Sequence, residues 1–167
     1  MEKAEKYVKM ALGMGAKDSK AISINDIVFD PRTLLKCMYG CEDWGTHWSC
    51  PCTPKALKPW EAERILKRYN WGILIHTGDF ELARDISFEV EMKAFFDGYP
   101  FAFSMFDCCR CKTCAYPNPC RFPKKSRPEM HTLGIDVYST VKKQGLPIKP
   151  LKTMDEKPNY YAIVLVE

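Results

Sequence analysis

Cysteine is the residue type that gives this chain its clearest chemical signal. All nine cysteines fall into two groups, one between Cys37 and Cys52 and one between Cys108 and Cys120. Thiolates are the preferred ligands of zinc and of iron–sulfur clusters, and closely spaced cysteines are typical of both kinds of site. Each group could therefore hold a metal centre, and the spacing within each group indicates which kind.

The second group reads DCCRCKTCAYPNPC, in which Cys108, Cys111 and Cys114 are each separated by two residues. This spacing favours a 4Fe-4S cluster, because the bacterial ferredoxin run uses it ahead of a fourth cysteine. Cys120 is the expected fourth ligand, although no proline follows it as in ferredoxins. Zinc is the alternative, since the group also contains a CxxC pair. Cys109 does not fit the spacing and is expected to be free.

The first group reads CMYGCEDWGTHWSCPC and offers Cys37, Cys41 and Cys50 as ligands, with Cys52 as a fourth. His47 lies in the same loop and is expected to be an ordinary loop side chain, with ligation as the alternative. If both groups supply four ligands, the chain holds two clusters. If one thiol does not ligate, one iron stays open to a substrate. One centre shared by both loops is the third arrangement.

Composition and charge restrict the class of protein. Hydrophobic residues make up 46% of the 167 residues, which is enough for a core. No stretch reaches the roughly eighteen apolar residues of a membrane helix. The N-terminus lacks the separate apolar region of a secretory signal, so a cytoplasmic location is expected. Cytoplasmic thiols stay reduced, and an odd number of cysteines also disfavours a disulfide framework.

Basic residues form one local cluster, RFPKKSR, from Arg121 to Arg127. With a net charge of only +4, this cluster is a weak signal for nucleic acid, and no nucleic-acid or membrane partner is expected. We interpret it as a solvated loop beside a metal site. A docking patch for an acidic partner or a phosphate is the alternative.

Alternating helices and strands must position these loops. The segments AISINDIVF, WGILIHT, FAFSMF and YYAIVLV predict four strands, and four or five helical segments lie around them. This order predicts one metal-binding domain over residues 1–167, of the α/β or mixed α+β class, with a roughly four-stranded sheet. Both cysteine loops, the first from Arg32 to Thr53, follow a predicted strand. If these strands run parallel, both loops lie at one edge of the sheet.

Established catalytic motifs do not occur: the sequence has no HExxH, no Walker loop and no GxGxxG. Glu89 and Glu91 lie two apart on a predicted helix and point to different faces, so they do not pair. His76, at the end of a predicted strand, is expected to be structural, with an acid–base role as the alternative.

Three further segments carry a resemblance: CMYGCEDWGTHWSCPCTP, FEVEMKAFFDGYPFAFSM and CRFPKKSRPEMHTLGIDVYSTVKKQG. Together with the second cysteine run they resemble a family of uncharacterised predicted metal-binding proteins of anaerobic archaea and bacteria, from Arg32 to the last strand. The resemblance implies metal binding, in iron–sulfur form, and no known reaction. Cys52 and Cys109 depart from the family pattern, which has Cys-Pro-Pro at the first of them. The resemblance carries over to seven ligands: Cys37, Cys41, Cys50, Cys108, Cys111, Cys114 and Cys120.

Arg127 also matches the family pattern. It is expected either to donate hydrogen bonds to cluster sulfurs or a substrate anion, or simply to pack. As a whole, the sequence predicts an iron–sulfur protein that passes electrons to, or helps assemble, a partner redox enzyme in anaerobic metabolism. The alternatives are a zinc-binding interaction module and an enzyme with an open iron at the first cysteine group.

Overall fold

Four strands form one antiparallel sheet in a computed structural model that describes residues 2–108, 111–153 and 155–167. The described residues also form five α-helices, so the mixed α+β class with a four-stranded sheet is confirmed. None of these helices is long and apolar enough to cross a membrane. The strands are β1 (Asp18–Ser23), β2 (Trp71–Thr77), β3 (Phe103–Met105) and β4 (Tyr160–Leu165), in the order β1-β2-β4-β3. The helices are α1 (Glu2–Gly13), α2 (Thr33–Gly40), α3 (Pro59–Leu66), α4 (Phe80–Phe96) and α5 (Val137–Lys143).

The sheet separates two hydrophobic cores. Successive strand residues point to opposite faces, so Ile73 and Ile75 pack on α1 and α4 while Leu74 packs on the other face. That second face carries α3, α5 and a 3₁₀ turn at His131–Leu133. Because β2 and β4 are covered on both faces, their sequences are continuous apolar runs rather than alternating ones.

The strands before the two cysteine loops do not run parallel, so the condition for placing both loops at one edge of the sheet is not met. β1 pairs antiparallel with β2, β2 with β4, and β4 with β3, so β1 and β3 point in opposite directions. The two loops therefore leave the sheet at opposite edges. The predicted first strand, from Ala21 to Phe29, also ends early at Ser23. The Ser23 side chain accepts a hydrogen bond from Asn25 N at 3.2 Å and starts a 3₁₀ turn.

A short backbone pairing brings the two loops together instead. Phe29 forms an antiparallel bridge with Ile135. The bridge is flanked by two hydrogen bonds, from Asp30 N to Gly134 O at 2.7 Å and from Asp136 N to Val28 O at 2.8 Å. The chain that enters the first cysteine loop is thus fixed against the chain that leaves the second.

Two residues beside the bridge, Gly134 and Asp136, give the backbone the conformation that this pairing requires. Asp136 caps α5, because its side chain accepts a hydrogen bond from Ser139 N. Gly134 has φ of +84°, and a Cβ there would lie 2.8 Å from Cβ of Pro59. The left-handed backbone and the close approach of α3 both require glycine at this position.

The segment Thr33–Gly40 forms α2, where the sequence predicts a loop from Arg32 onward. This helix packs against the 3₁₀ turn at His131–Leu133. The sequence does not indicate this helix by an apolar face, because the buried residue of α2 is Cys37 and the cysteines suggested a loop. The first predicted ligand therefore stands on a helix rather than in a loop.

Candidate metal centre

Four of the predicted ligands line one small pocket directly after β3. We call it the second pocket; its thiols are those of Cys108, Cys111, Cys114 and Cys120. All four are free and partly exposed. Cys109, expected to be free, lies outside the described residues. Thiols that are close in the sequence thus line one common pocket in the structure.

Contacts within the loop give the second pocket its shape. The Arg121 Nη1 atom donates a hydrogen bond to the Thr113 carbonyl oxygen at 2.8 Å and closes the loop on itself. The Cys108 Sγ atom lies 3.4 Å from the Ser126 hydroxyl, which also lines the pocket. A hydroxyl beside a thiolate sulfur stabilises its negative charge.

Arg127 anchors the end of this loop on the sheet. Its Nε donates to the Glu91 carboxylate at 2.7 Å, its second terminal nitrogen bonds the other oxygen, and Nη1 donates to Ser126 O at 2.8 Å. Ser104 donates to the same carboxylate from its backbone and its hydroxyl. Burial raises the pKa of Glu91, but the bonds from Arg127 and Ser104 outweigh it and leave that pKa below its usual value. These contacts give Arg127 a structural role, while its contact with a cofactor stays a prediction.

Three cysteines of the first group line an adjacent pocket, the first pocket. Cys37 comes from α2, Cys41 follows the end of that helix, and Cys50 comes from the loop beyond it. Residues four apart share a helix face, which explains why Cys37 and Cys41 reach the same pocket. Cys37 and Cys50 are buried, whereas Cys41 is exposed.

Cys52 has a different position from the other three. Its Sγ lies 3.0 Å from Sγ of Cys50, but Cys52 does not line the first pocket. Burial, followed by the contact with Cys50, raises the pKa of the Cys52 thiol. Gly45, with φ of +80°, donates its backbone N–H to Sγ of Cys50 at 3.2 Å. Cys52 as a ligand stays a prediction.

The first pocket also has a polar wall, which the sequence analysis missed. It consists of Asp107, Glu129 and His131, with the Glu129 carboxylate 2.6 Å from Nε2 of His131. Burial lowers the pKa of His131, but hydrogen bonds with Cys37 and Glu129 raise it to about 10, so the ring is a cation. The signal available in the sequence was the Glu-x-His spacing in RPEMHTLG, which the sequence analysis did not treat as a site.

The two pockets adjoin, since His47 and Ser49 line both of them. Trp48 lies between these residues and donates from its indole N–H to the Asn118 carbonyl oxygen at 2.8 Å. Its ring packs edge-on against Tyr116, with ring centroids 5.0 Å apart. The two cysteine loops are therefore in contact, through the backbone pairing described above rather than through parallel strands.

His76 is structural, as expected. It is buried, stacks on Tyr161, and its two ring nitrogens lie 2.7 Å from the Asp18 carboxylate and 2.8 Å from the Asn159 side-chain oxygen. Both ring nitrogens are occupied, and the side chain fixes the ends of β1, β2 and β4 against one another.

A much larger cleft of about 770 Å³ opens beside the first pocket. The two spaces share the polar wall of Asp107, Glu129 and His131. Aromatic and aliphatic side chains from several segments, including β4, α5 and the connection between them, line much of the rest of the cleft. A molecule bound in the cleft would therefore lie next to the thiols of the first pocket.

The chemistry of the donors fits a thiophilic metal. Seven free thiols line two adjoining pockets, and cysteine sulfur selects zinc and iron–sulfur clusters over hard cations. Among the described residues, no three His, Cys, Asp or Glu side chains are grouped closely enough to hold a single metal ion. The thiols thus share pockets without converging on one point.

A family model described as predicted metal-binding protein (DUF2284) matches residues 20–166 of the chain. No curated protein and no solved structure matches it significantly. The matched residues include both cysteine groups and all four strands except the first residues of β1. The chain belongs to this family of predicted metal-binding proteins.

Proposed function

We propose that this family member binds two iron–sulfur clusters of the 4Fe-4S type and transfers electrons to a partner redox enzyme. One observation carries the proposal: four thiols with C-x2-C-x2-C spacing line one pocket, and a second thiol-lined pocket adjoins it. When bound, such clusters supply one-electron transfer, and adjoining clusters suit electron passage from one to the other.

The ligands follow from the lining of each pocket. Cys108, Cys111, Cys114 and Cys120 would hold the cluster of the second pocket. The thiols of Cys37, Cys41 and Cys50 would hold the cluster of the first pocket. Cys52 lies beside Cys50 but outside the lining, so it is the fourth ligand only if its replacement costs iron. The Gly45 N–H that points at the Cys50 sulfur would raise the reduction potential, because hydrogen bonds to sulfur stabilise added negative charge.

Zinc is the weaker alternative on geometric grounds. A tetrahedral zinc ion with Zn–S bonds of about 2.3 Å needs its sulfurs within about 3.8 Å of one another. In a cluster each thiolate binds a separate iron, so the sulfurs stand further apart. The sulfurs of Cys50 and Cys52, 3.0 Å apart, are close enough for zinc, but Cys52 lies outside the first pocket. The thiols that line the pockets without converging are better suited to a cluster.

An acidic partner surface is supported by the basic segment beside the second pocket. Arg121, Lys124 and Lys125 are exposed, and Arg121 and Phe122 line the pocket itself. Positive charge around a redox centre accelerates encounter with a negatively charged partner, and salt weakens that effect. The partner would therefore be a redox protein with an acidic patch at its own centre.

Anaerobic purification with metal and sulfide analysis tests the proposal. We expect a brown protein with broad visible absorption and about eight irons per chain, four for each cluster. A colourless protein with stoichiometric zinc and no iron would refute it. Electron transfer to an acidic ferredoxin should slow as ionic strength rises, and a rate independent of salt would contradict the proposed docking.

A second candidate function is an enzyme whose first cluster is the reactive centre. The observation that favours it is the cleft of about 770 Å³, which shares Asp107, Glu129 and His131 with a pocket lined by three thiols. Here the second pocket would supply electrons, and the carboxylates and the imidazolium would orient a substrate. EPR of the reduced protein with candidate ligands separates the two functions, because a carrier gives a spectrum that no added ligand changes.

A further inference from the structure

One pair of thiols in the first cysteine group is in direct contact. The Sγ atoms of Cys50 and Cys52 lie 3.0 Å apart. Among the described cysteines, this is the one pair whose sulfur atoms lie within hydrogen-bonding distance of each other. A disulfide bond is about 2.05 Å long, so an approach of about 1 Å would join the two sulfurs.

The backbone between these two cysteines forms a tight turn. Thr53 N donates a hydrogen bond to Cys50 O at 3.1 Å, which closes a turn with Pro51 and Cys52 at its centre. Proline is favoured at the second position of such a turn because its ring fixes φ. The turn keeps the Cα atoms of its first and third residues within the roughly 7 Å that a disulfide can span. The local backbone therefore favours a bond between the two sulfurs.

A single metal ion does not account for this contact. A site for one ion needs at least three donors around a common point. Among the residues that the structure describes, no three His, Cys, Asp or Glu side chains are grouped in that way. Cys50 lines the first pocket with Cys37 and Cys41, whereas Cys52 lies outside that lining. The pair is thus a dithiol of which one member belongs to a candidate metal centre.

Small oxidants can reach this dithiol from solution. Cys52 is exposed, whereas Cys50 is buried beside it. An accessible thiol that is oxidised next to a second thiol condenses with it to a disulfide, and this prevents further oxidation to irreversible acids. Exposure of one sulfur and its contact with the other therefore favour reversible oxidation.

We propose that Cys50 and Cys52 form a site of reversible oxidation, at which a peroxide converts the two thiols into a disulfide. With hydrogen peroxide, one sulfur attacks an oxygen and the O–O bond breaks, which gives a sulfenic acid and one water. The other sulfur then attacks the first, the S–O bond breaks, and the hydroxyl leaves with the remaining thiol proton as a second water. Both sulfurs are oxidised, and both peroxide oxygens are reduced.

This disulfide withdraws Cys50 from the lining thiols of the first pocket, because the thiolate is the form that binds metals. That a metal centre is lost with it rests on the proposed function. Exposed disulfides are readily reduced, so an added thiol restores the pair. The oxidation would thus act on the first pocket and leave the four thiols of the second pocket in place.

Peroxide treatment of the anaerobically purified chain, followed by alkylation in denaturant and digestion with trypsin and chymotrypsin, tests the proposal. Cleavage after Trp48 and Lys55 isolates residues 49–55, whose only cysteines are the proposed pair. We expect this peptide to lose both alkylation sites and the mass of two hydrogens, and dithiothreitol to restore both sites. Tryptic peptide 113–121, with Cys114 and Cys120 of the second pocket, is the internal control and should stay alkylated.

A variant identifies the partner of Cys50. Cys52→Ser is a conservative change at an exposed position and should leave Cys50 outside any disulfide after peroxide treatment. Two alkylated thiols in peptide 49–55 of the treated parent protein would overturn the proposal. A disulfide that joins Cys50 to another cysteine in the parent protein, or that still contains Cys50 in Cys52→Ser, would do the same.

Iron analysis of the same samples before peroxide treatment separates this proposal from the proposed function. Disulfide formation in a chain that binds no iron would count only against the clusters. A chain with about eight irons that stays fully alkylated after peroxide treatment would count only against the disulfide.

Discussion

The two cysteine regions differ in how completely thiols surround their pockets. The second pocket is lined by four thiols, with aromatic and basic side chains around them. The first pocket is lined by three thiols and a polar wall of Asp107, Glu129 and His131, and it borders a large cleft. A full set of protein ligands is typical of a structural or electron-carrying centre, whereas an incomplete set next to a cavity is typical of a reactive one. The comparison suggests different tasks for two sites that the sequence presents as similar.

Removing the fourth candidate ligand of each region is the most severe test of this difference. Cys120→Ala should cost the second cluster, about four irons per chain, because its thiol lines the pocket with the other three. Cys52→Ala should leave the iron content unchanged, since Cys52 does not line the first pocket. Iron and sulfide analysis after anaerobic purification measures both. Equal losses would mean that the two sites have the same ligand number.

Loss of the ion pair between Arg127 and Glu91, which anchors the second cysteine loop, should have the next largest effect. Arg127→Met leaves the Glu91 carboxylate, which is 7% exposed, without its cation and should cost about 3–5 kcal/mol of unfolding free energy. The double change Arg127→Met with Glu91→Leu should cost much less, because no buried charge remains. Exposed Arg68→Met is the control and should stay within about 0.5 kcal/mol. Urea unfolding measures all three, and a double variant as unstable as the single would contradict this explanation.

Replacing Gly45, in the first cysteine loop, should have a smaller effect that is confined to that region. Gly45→Ala should cost about 1–2 kcal/mol, because φ is +80° and alanine resists the left-handed backbone. It should also shift the reduction potential of the first centre, since the Gly45 N–H points at the Cys50 sulfur. Gly40→Ala, within α2 and with open space around it, should stabilise the protein instead. A potential unchanged by Gly45→Ala would mean that the N–H of residue 45 either keeps its position in the variant or does not tune the centre.

Contact between the two regions should contribute less than the Arg127–Glu91 ion pair or the Gly45 backbone conformation. Trp48→Phe removes the indole hydrogen bond to Asn118 O and should cost about 1 kcal/mol. Amide exchange in residues 111–120 should become faster. Trp60, which is 60% exposed, provides the matched control, and Trp60→Phe should change neither quantity. Unaltered exchange in Trp48→Phe would indicate that the loops are held together by the backbone pairing alone.

Acid should weaken the ion pair between Arg127 and Glu91, and this is the smallest of the five predicted effects. The pKa of Glu91 is lower in the folded protein than its usual value of 4.5. Folding therefore favours the ionised form, and this contribution is complete above pH 4.5. It is lost as the pH falls through the folded-state pKa. Unfolding free energies measured from pH 7 down to pH 3 should decline less steeply in Glu91→Gln than in the parent protein, and parallel curves would exclude the carboxylate as the titrating group.

The strands and the second cysteine group could be predicted because their signals are local. WGILIHT and YYAIVLV are apolar runs of strand length, and the C-x2-C-x2-C run places its thiols together over a few residues. The end of β1 could not be predicted, since the capping box at Ser23 competes with strand pairing through only two local hydrogen bonds, with Asn25 and Asp26. Local signals thus identify elements better than the residues at which they end.

The first pocket could be predicted only in part because its wall comes from distant segments. Glu129 and His131 meet Cys37 through the pairing of Phe29 with Ile135, which no local pattern encodes. The relative direction of the strands is the other feature that the sequence did not determine. An alternating order of helices and strands suggests parallel pairing, while the direction depends on how each connection crosses the sheet.

The bridge between Phe29 and Ile135 also determines when the first pocket can form during synthesis of the chain. The thiols of the first region leave the ribosome early, but the wall that completes their pocket is made about a hundred residues later, after roughly five to twenty seconds of synthesis. During that interval Cys37, Cys41 and Cys50 belong to an unfinished chain and are open to oxidation or to the wrong metal. The first pocket is therefore complete only after the second cysteine region and the segment up to Ile135 have been translated.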